Sequence, residues 1–380
     1  MWSKVTLARL PAVKPIKLVN WLSIFVLVFI CLLFLMLFVF QIDIMNNNFI
    51  IILTVGALFI SGLLFSIRLF IYGLAIENVK IWDEEIKQHE ESWQNWASQS
   101  VAVLQSVVIT PQNLSSDDFQ SDESDLNFAA NEIFKFRETD AQFYLDSYEW
   151  IFSNLYDCLN SLELSCPLLV LQLDTNEQKK KKEKLIQKAY NNVGLNLPLE
   201  FSYPDMLNDN KFDLNQLIDN EDSALYLIIT DNVQAIDSSA FMSALLLTNA
   251  PLYTNITSLQ PESYLLRTMK TTHDTFTQAI AQMNEIQKEF KNIQQVWYSQ
   301  LDQKSMRQLR TLFSQHEIIL YESDNYLATH DLDVYFGYPN KVLSYWLLLS
   351  LAIQSVKKQN QTQLVATKVA DELVFTVIKP

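Results

Sequence analysis

Glycine, histidine and cysteine are scarce in this sequence, with five, four and three residues among 380. Phosphate-cradling loops and tight active-site turns lean on glycine. Gly56, Gly62 and Gly73 fall in or beside an apolar stretch, which leaves Gly194 and Gly337 for everything after it. That poverty counts against nucleotide chemistry and many enzyme sites, and no GxxxxGK[ST], GxGxxG, GxSxG or HExxH motif occurs. Cys31 lies in an apolar run. Cys158 and Cys166 are too few and too irregular for a disulfide framework or a zinc site, which fits a reducing compartment. Positive charge is also short: 28 Lys and Arg face 43 Asp and Glu, a net charge of −15. The first twenty residues are basic, so the acidity belongs to the rest of the chain. Such a chain repels phosphate, so nucleic acid is not an expected partner, and no cofactor or metal is expected.

What is present begins with two long apolar runs, Trp21–Phe40 and Phe49–Ile67, separated by the short loop Gln41–Asn48. Each is about the length that crosses ~30 Å of hydrocarbon at 1.5 Å per residue. Helices satisfy their backbone groups internally, so two joined by so short a loop form an antiparallel transmembrane hairpin. A cleavable signal peptide is disfavoured, because the first run exceeds 7–15 residues and no small-residue cleavage site follows. Lys4, Arg9, Lys14 and Lys17 precede the hairpin and Arg68 and Lys80 follow it, while the connecting loop carries no lysine or arginine. The positive-inside rule then places both termini in the cytoplasm of a multi-pass, inner-membrane protein. Gly56, Gly62, Ser61 and Ser66 give the second helix a small-residue face, best used against the first helix.

Residues 75–100 read as an amphipathic helix continuing out of the membrane. Trp82, Ile86, Trp93 and Trp96 share one face and charges fill the other, which makes these four interaction candidates for docking or a short coiled coil. Packing of the stripe onto the chain's own core is the competing expectation. From 101 to 380 the pattern is that of one cytoplasmic α/β domain. Strands are expected at Val101–Thr110, Leu168–Leu173, Ala224–Thr230 and Glu317–Glu322, with a terminal hairpin from Gln363–Lys368 and Glu372–Lys379. Helices are expected at Ala141–Leu162, Glu177–Asn192, Ser239–Leu247 and Lys341–Val356, and 263–314 reads as largely helical. An acidic, solvated loop spans 113–127. Lys179, Lys180, Lys181 and Lys182 are membrane-surface candidates, since an anionic headgroup layer attracts each by ~1 kcal/mol. A solvated helix face explains the same run.

Two stretches resemble the thiolase-like fold of the ketoacyl synthases. One is the strand ALYLIIT (224–230) followed by Ser239–Leu247. The other runs from Asp331 through Gly337-Tyr338-Pro339 into the helix 342–356 and the closing hairpin. The resemblance implies a layered α/β fold, and it also implies a dead copy. Tyr338 stands where the family's catalytic histidine would follow glycine. The family's nucleophilic cysteine sits at a strained turn after a strand, whereas Cys166 precedes a strand and Cys158 sits among bulky residues of a helix. A membrane hairpin carrying such a domain resembles accessory inner-membrane proteins of bacterial type VI secretion loci. The expectation is therefore a non-catalytic assembly or docking protein whose partners are the bilayer and other proteins of a secretion complex. The alternative is a membrane-tethered acyl-transfer enzyme using Cys158, Cys166 or His330. A signalling role through the hairpin is the weakest, because the external loop is so short.

Overall fold

The computed structural model describes residues 1–38, 47–119, 129–162, 166–174, 179–204, 212–254, 261–320 and 328–380. The chain divides into two compact units: Lys4–Ser92, and Met1–Ser3 together with Trp93–Pro380.

In the first unit, α1 (Leu18–Phe38) and the apolar part of α2 (Asn47–Ala97) are long and apolar enough to cross a bilayer. They pack antiparallel. The ring of Trp21 meets Phe65 edge-on at 5.1 Å, and a Cβ on Gly56 would touch Leu32 at 3.7 Å. Of the small residues expected to face α1, Gly56 lies against it and Ser61 is buried, whereas a Cβ on Gly62 would meet nothing within 4 Å and Ser66 is exposed. α2 continues without a break from the apolar run through the amphipathic stretch.

The second unit begins with β1 (Ser100–Ile109), α3 (Ala141–Asn160), β2 (Leu168–Asp174), α4 (Lys179–Val193), β3 (Leu199–Ser202), α5 (Leu214–Ile218), β4 (Leu225–Asp231), β5 (Met242–Thr248) and α6 (Ala250–Tyr253). It continues with β6 (Ser263–Leu266), β7 (Met269–Thr271), α7 (Phe276–Ile286), β8 (Gln295–Ser299), α8 (Gln303–Gln315), β9 (Thr329–Asp331), α9 (Leu332–Phe336), α10 (Ser344–Gln359), β10 (Gln363–Val369) and β11 (Glu372–Lys379).

The strands follow one plan twice. The first half runs β3-β2-β4-β5-β1 and the second β9-β8-β10-β11-β6, with β7 continuing β6 along β11. Counted within each half, both orders read 3-2-4-5-1, with the fifth strand antiparallel to its two neighbours. The halves join where Ser100–Val103 pairs antiparallel with Ser263–Leu266. Alternate residues of β4 feed different cores: Tyr226 and Ile228 face α10, while Leu225, Leu227 and Ile229 face α3 and α4. A third core lies between α7, α8 and the strands β8, β10 and β11. The layers are thus helices, sheet, a buried helical layer led by α10, sheet and helices. Twelve of the sixteen residues of α10 are buried. A core helix, rather than a third membrane span, explains its apolar character, as expected from its length.

Three expected elements differ. Ser239–Leu247 is not a helix: Met242–Thr248 is β5, buried on both faces between β4 and β1. An apolar run of this length carries no periodicity that separates a doubly buried strand from a helix. The stretch 263–314 mixes β6, β7 and β8 with α7 and α8, so it is not largely helical. Glu317–Leu320 forms no strand, residues 321–327 lie outside the described residues, and the third strand of this half is the three-residue β9. Of the acidic loop, 113–119 is described and holds a single helical turn with Phe119 buried; 120–127 lies outside the described residues.

Candidate functional site

In α/β proteins, ligands bind beyond the carboxyl ends of strands. Here the segments after β4 and β8 meet the turn before α10. In that turn, Asn340 Oδ1 accepts from the Val342 and Leu343 N–H groups at 3.0 and 2.9 Å, and its amide donates to Asn232 Oδ1 at 2.9 Å. Asn232 in turn donates to Ser238 Oγ and the Ser239 carbonyl at 3.1 and 2.8 Å. Gln300 donates to the Asn340 carbonyl at 3.0 Å and Ser344 Oγ at 2.7 Å. The Ser239 N–H donates to the Tyr338 carbonyl at 2.7 Å, and the Tyr338 N–H to the Glu132 carbonyl at 2.8 Å.

This junction also holds left-handed backbone. Asn131, Gln300 and Gly337, at φ of 72°, 58° and 85°, all line one cavity of about 280 Å³ with Asp333, Tyr338 and Lys341. Asp333 accepts from Ser299 Oγ at 2.7 Å and the Gln300 N–H at 2.6 Å. Burial pushes its carboxyl up to about 6, against the pull of those two donors. Tyr338 contributes a ring that is 44% exposed, so the position after Gly337 has a phenol and no imidazole.

The residues named for acyl transfer are not brought together. Cys158 lies within α3 against the α3–α4 core, and burial, helped by the Glu262 carboxylate, pushes its thiol up to about 11. Burial raises Cys166 as well. A raised thiol pKa leaves less thiolate at neutral pH, the opposite of what a nucleophile requires. His330 is buried in β9, with Nδ1 2.9 Å from the Phe119 carbonyl, Nε2 3.2 Å from the Gln295 amide and its ring 4.4 Å from Trp297. Burial lowers it to about 4, so it stays neutral at physiological pH. Its partners belong to a different core from those of the cysteines.

Lys179, Lys180 and Lys181 are exposed, but Lys182 is not a surface residue. Its ammonium is bound by Asp174 and by Asp231 at 2.6 Å, at the carboxyl ends of β2 and β4, and it lies 5.2 Å from the Tyr144 ring centre. Tyr148 OH reaches Asp231 at 3.5 Å. Burial works against the charge on Lys182, but the two carboxylates outweigh it and its pKa is raised; Asp231 is raised by burial, against the pull of Lys182. The signal for this cluster was available. Lys182 shares helical spacing with Ile186, Ala189 and Tyr190, which form the buried face of α4.

The tryptophan stripe is occupied by the chain itself. In the first unit, Trp82 donates to the Ala8 carbonyl at 2.9 Å, His89 Nε2 lies 3.1 Å from the Val5 carbonyl, and Ile86 is buried. Three extended residues (~10 Å) match seven helical ones (~10.5 Å), so the amino-terminal segment runs along α2 in step. In the second unit, Trp96 carries the Arg267 guanidinium 4.1 Å from its ring centre, with Trp93 and Trp2 edge-on at 5.0 and 5.5 Å. Trp2 is 7% exposed and donates to the Thr268 carbonyl at 3.2 Å.

No family model and no curated protein matches this sequence. Solved structures do. The complex of a type II polyketide synthase acyl-carrier protein with its ketosynthase (AntDE:AntF) aligns with a TM-score of 0.51 at 9% identity, covering 74% of this chain and 99% of that one. The second unit has the thiolase-like fold. Lower-scoring similarities include 3-oxoacyl-[acyl-carrier-protein] synthase III of Aquifex aeolicus (TM-score 0.42, 12% identity, 74% of this chain, 100% of that one). Peroxisomal 3-ketoacyl-CoA thiolase of Saccharomyces cerevisiae is another (0.43, 10%, 74% and 98%). In this thiolase-like unit no cysteine follows the end of a strand: the segments after β2, β3 and β4 contain none. The helix after β3, α5, has five residues, whereas its counterpart in the second half, α10, has sixteen.

Proposed function

We propose that this chain is a non-catalytic docking protein, in which a transmembrane hairpin holds a thiolase-like domain at the cytoplasmic face of an inner membrane, as part of an envelope machine of the type VI secretion kind. The observation that carries the reading is the chemistry of the strand-end junction. Its amides and hydroxyls are committed to one another, Tyr338 replaces an imidazole, and both soluble-unit thiols are pushed above their ordinary range. Such a junction fixes loops in place and supplies no thiolate nucleophile.

Burial of Trp2 in the thiolase-like unit supports the topology, because a chain whose second residue packs on that domain crosses the membrane an even number of times before reaching it. The lysines and arginines flanking the hairpin support the reading that this side is the cytoplasm.

The test offers the membrane-embedded protein acyl-carrier and coenzyme A thioesters at pH 7.5, followed by intact-mass analysis, alongside iodoacetamide labelling from pH 7 to 10. The reading expects no acyl adduct, and alkylation of Cys158 and Cys166 slower than that of free cysteine until the pH is strongly alkaline. An acyl group on either thiol would overturn it. Crosslinking in intact cells, with mass-spectrometric identification of what is captured, then separates secretion-machine components from acyl-carrier or lipid-synthesis proteins.

A further inference from the structure

Strand β1 is shared unequally by the two halves of the sheet. It pairs with β5 from Ala102 to Ile109 but with β6 only over Ser100–Val103. Beyond Val103, one side of β1 has no strand beside it among the described residues. In an antiparallel pair the N–H and C=O groups of alternate residues turn towards the same neighbour. The Ser106 N–H lies on the open side, where it donates to the Glu262 carboxylate, itself held by Lys357 at 2.5 Å. The same alternation turns the N–H and C=O of Val108 to that side, with no backbone partner among the described residues. An unpaired strand edge is a template for another strand.

This edge borders a cavity of about 780 Å³, lined on its other side by α3. Glu138, Asp140 and Asp146 line it, and no lysine, arginine or histidine does. Asp140 Oδ1 accepts from the Phe143 N–H, and Asp146 Oδ1 from the Gln142 amide. Trp150 stands in the wall 49% exposed, one of few large hydrophobic side chains of this unit left open to solvent.

Main chain that can pair, carboxylates without a lining cation and an open indole are three independent features of one cleft. We infer that it takes an extended, lysine- or arginine-bearing peptide segment of a partner protein, added as a strand to the open edge of β1. The cationic side chains of that segment lie against Glu138, Asp140 and Asp146 and over the face of Trp150. The net charge of −15 favours approach of a basic partner. This inference rests on the docking reading and names the chemistry of the partner.

The full chain in nanodiscs is titrated against a fluorescent octapeptide of alternating lysine and valine. The controls are the glutamate–valine analogue, a version N-methylated at alternate residues, and spermine as competitor. Trp150→Ala and Asp146→Lys alter exposed side chains and leave the core intact. Saturable binding is expected, weakened by salt, lost on N-methylation, and reduced about ten-fold or more by either variant. Absence of binding, equal binding by wild type and both variants, equal binding of the N-methylated peptide, or full displacement by low concentrations of spermine would each overturn the inference. Acylation of Cys158 or Cys166 would remove the docking reading without touching the peptide result, so the two failures are distinguishable.

Discussion

Replacing Lys182 by methionine keeps a stem of similar volume and removes one charge from a buried trio. The side chains of Lys182, Asp174 and Asp231 are 4%, 2% and 1% exposed, so water screens their interaction little. Removing one partner of a buried ion pair costs about 3–5 kcal/mol, because the remaining charge is left uncompensated. For a unit of this size that lowers the unfolding midpoint by roughly 5–8 °C. The pH dependence follows from Asp231, whose pKa burial already raises and Lys182 partly restores. Without the lysine it rises further. A carboxyl whose folded pKa exceeds its unfolded value loses stability as pH climbs through the folded pKa, so the deficit should be larger at pH 8 than at pH 5. The wild-type ammonium, raised in the fold, contributes fully below its unfolded value of 10.5 and is lost only above that. Unfolding of the full chain in detergent, followed by tryptophan fluorescence at the two pH values, reads both effects. Lys181→Met, at an exposed position, should stay within about 0.5 kcal/mol. A Lys182→Met deficit below about 1 kcal/mol, or one that does not change with pH, would refute the reasoning.

Two further substitutions test other parts of the frame by the same assay. Gly337→Ala places a Cβ 2.4 Å from the Glu132 carbonyl oxygen at a φ of 85°, and should cost about 3 kcal/mol or more; a near-neutral result would mean that the strand-end junction is loosely held. Arg267→Lys loses the paired contacts to Asp219 at 3.0 and 2.5 Å and the guanidinium 4.1 Å from the Trp96 ring centre. Asp219 is 57% exposed, so a cost of only about 1–2 kcal/mol is expected, with easier proteolysis near residue 97.

The sequence alone determined the parts that depend on local pattern. The two apolar runs, the long α2, the strands β1, β2 and β4 and the terminal hairpin follow from run length, periodicity and turn residues, which act over a few neighbours. The thiolase-like fold was legible in β4 and in the stretch from Asp331 through α10 to the closing hairpin. Only the tertiary structure decided what each exposed-looking group meets. Ser239–Leu247 carries no period that separates a helix from a doubly buried strand, so the register between β4 and β1 made it a strand. Lys182 left the membrane-surface set because Asp174 and Asp231, 8 and 49 residues away, converge on it at the ends of two parallel strands. The tryptophan stripe turned inward because Val5 and Ala8 meet His89 and Trp82 in one unit and Trp2 meets Trp96 in the other, contacts across more than seventy residues. His330 and the cysteines were separated for the same reason: sheet order, which no local pattern encodes, assigned them to different cores.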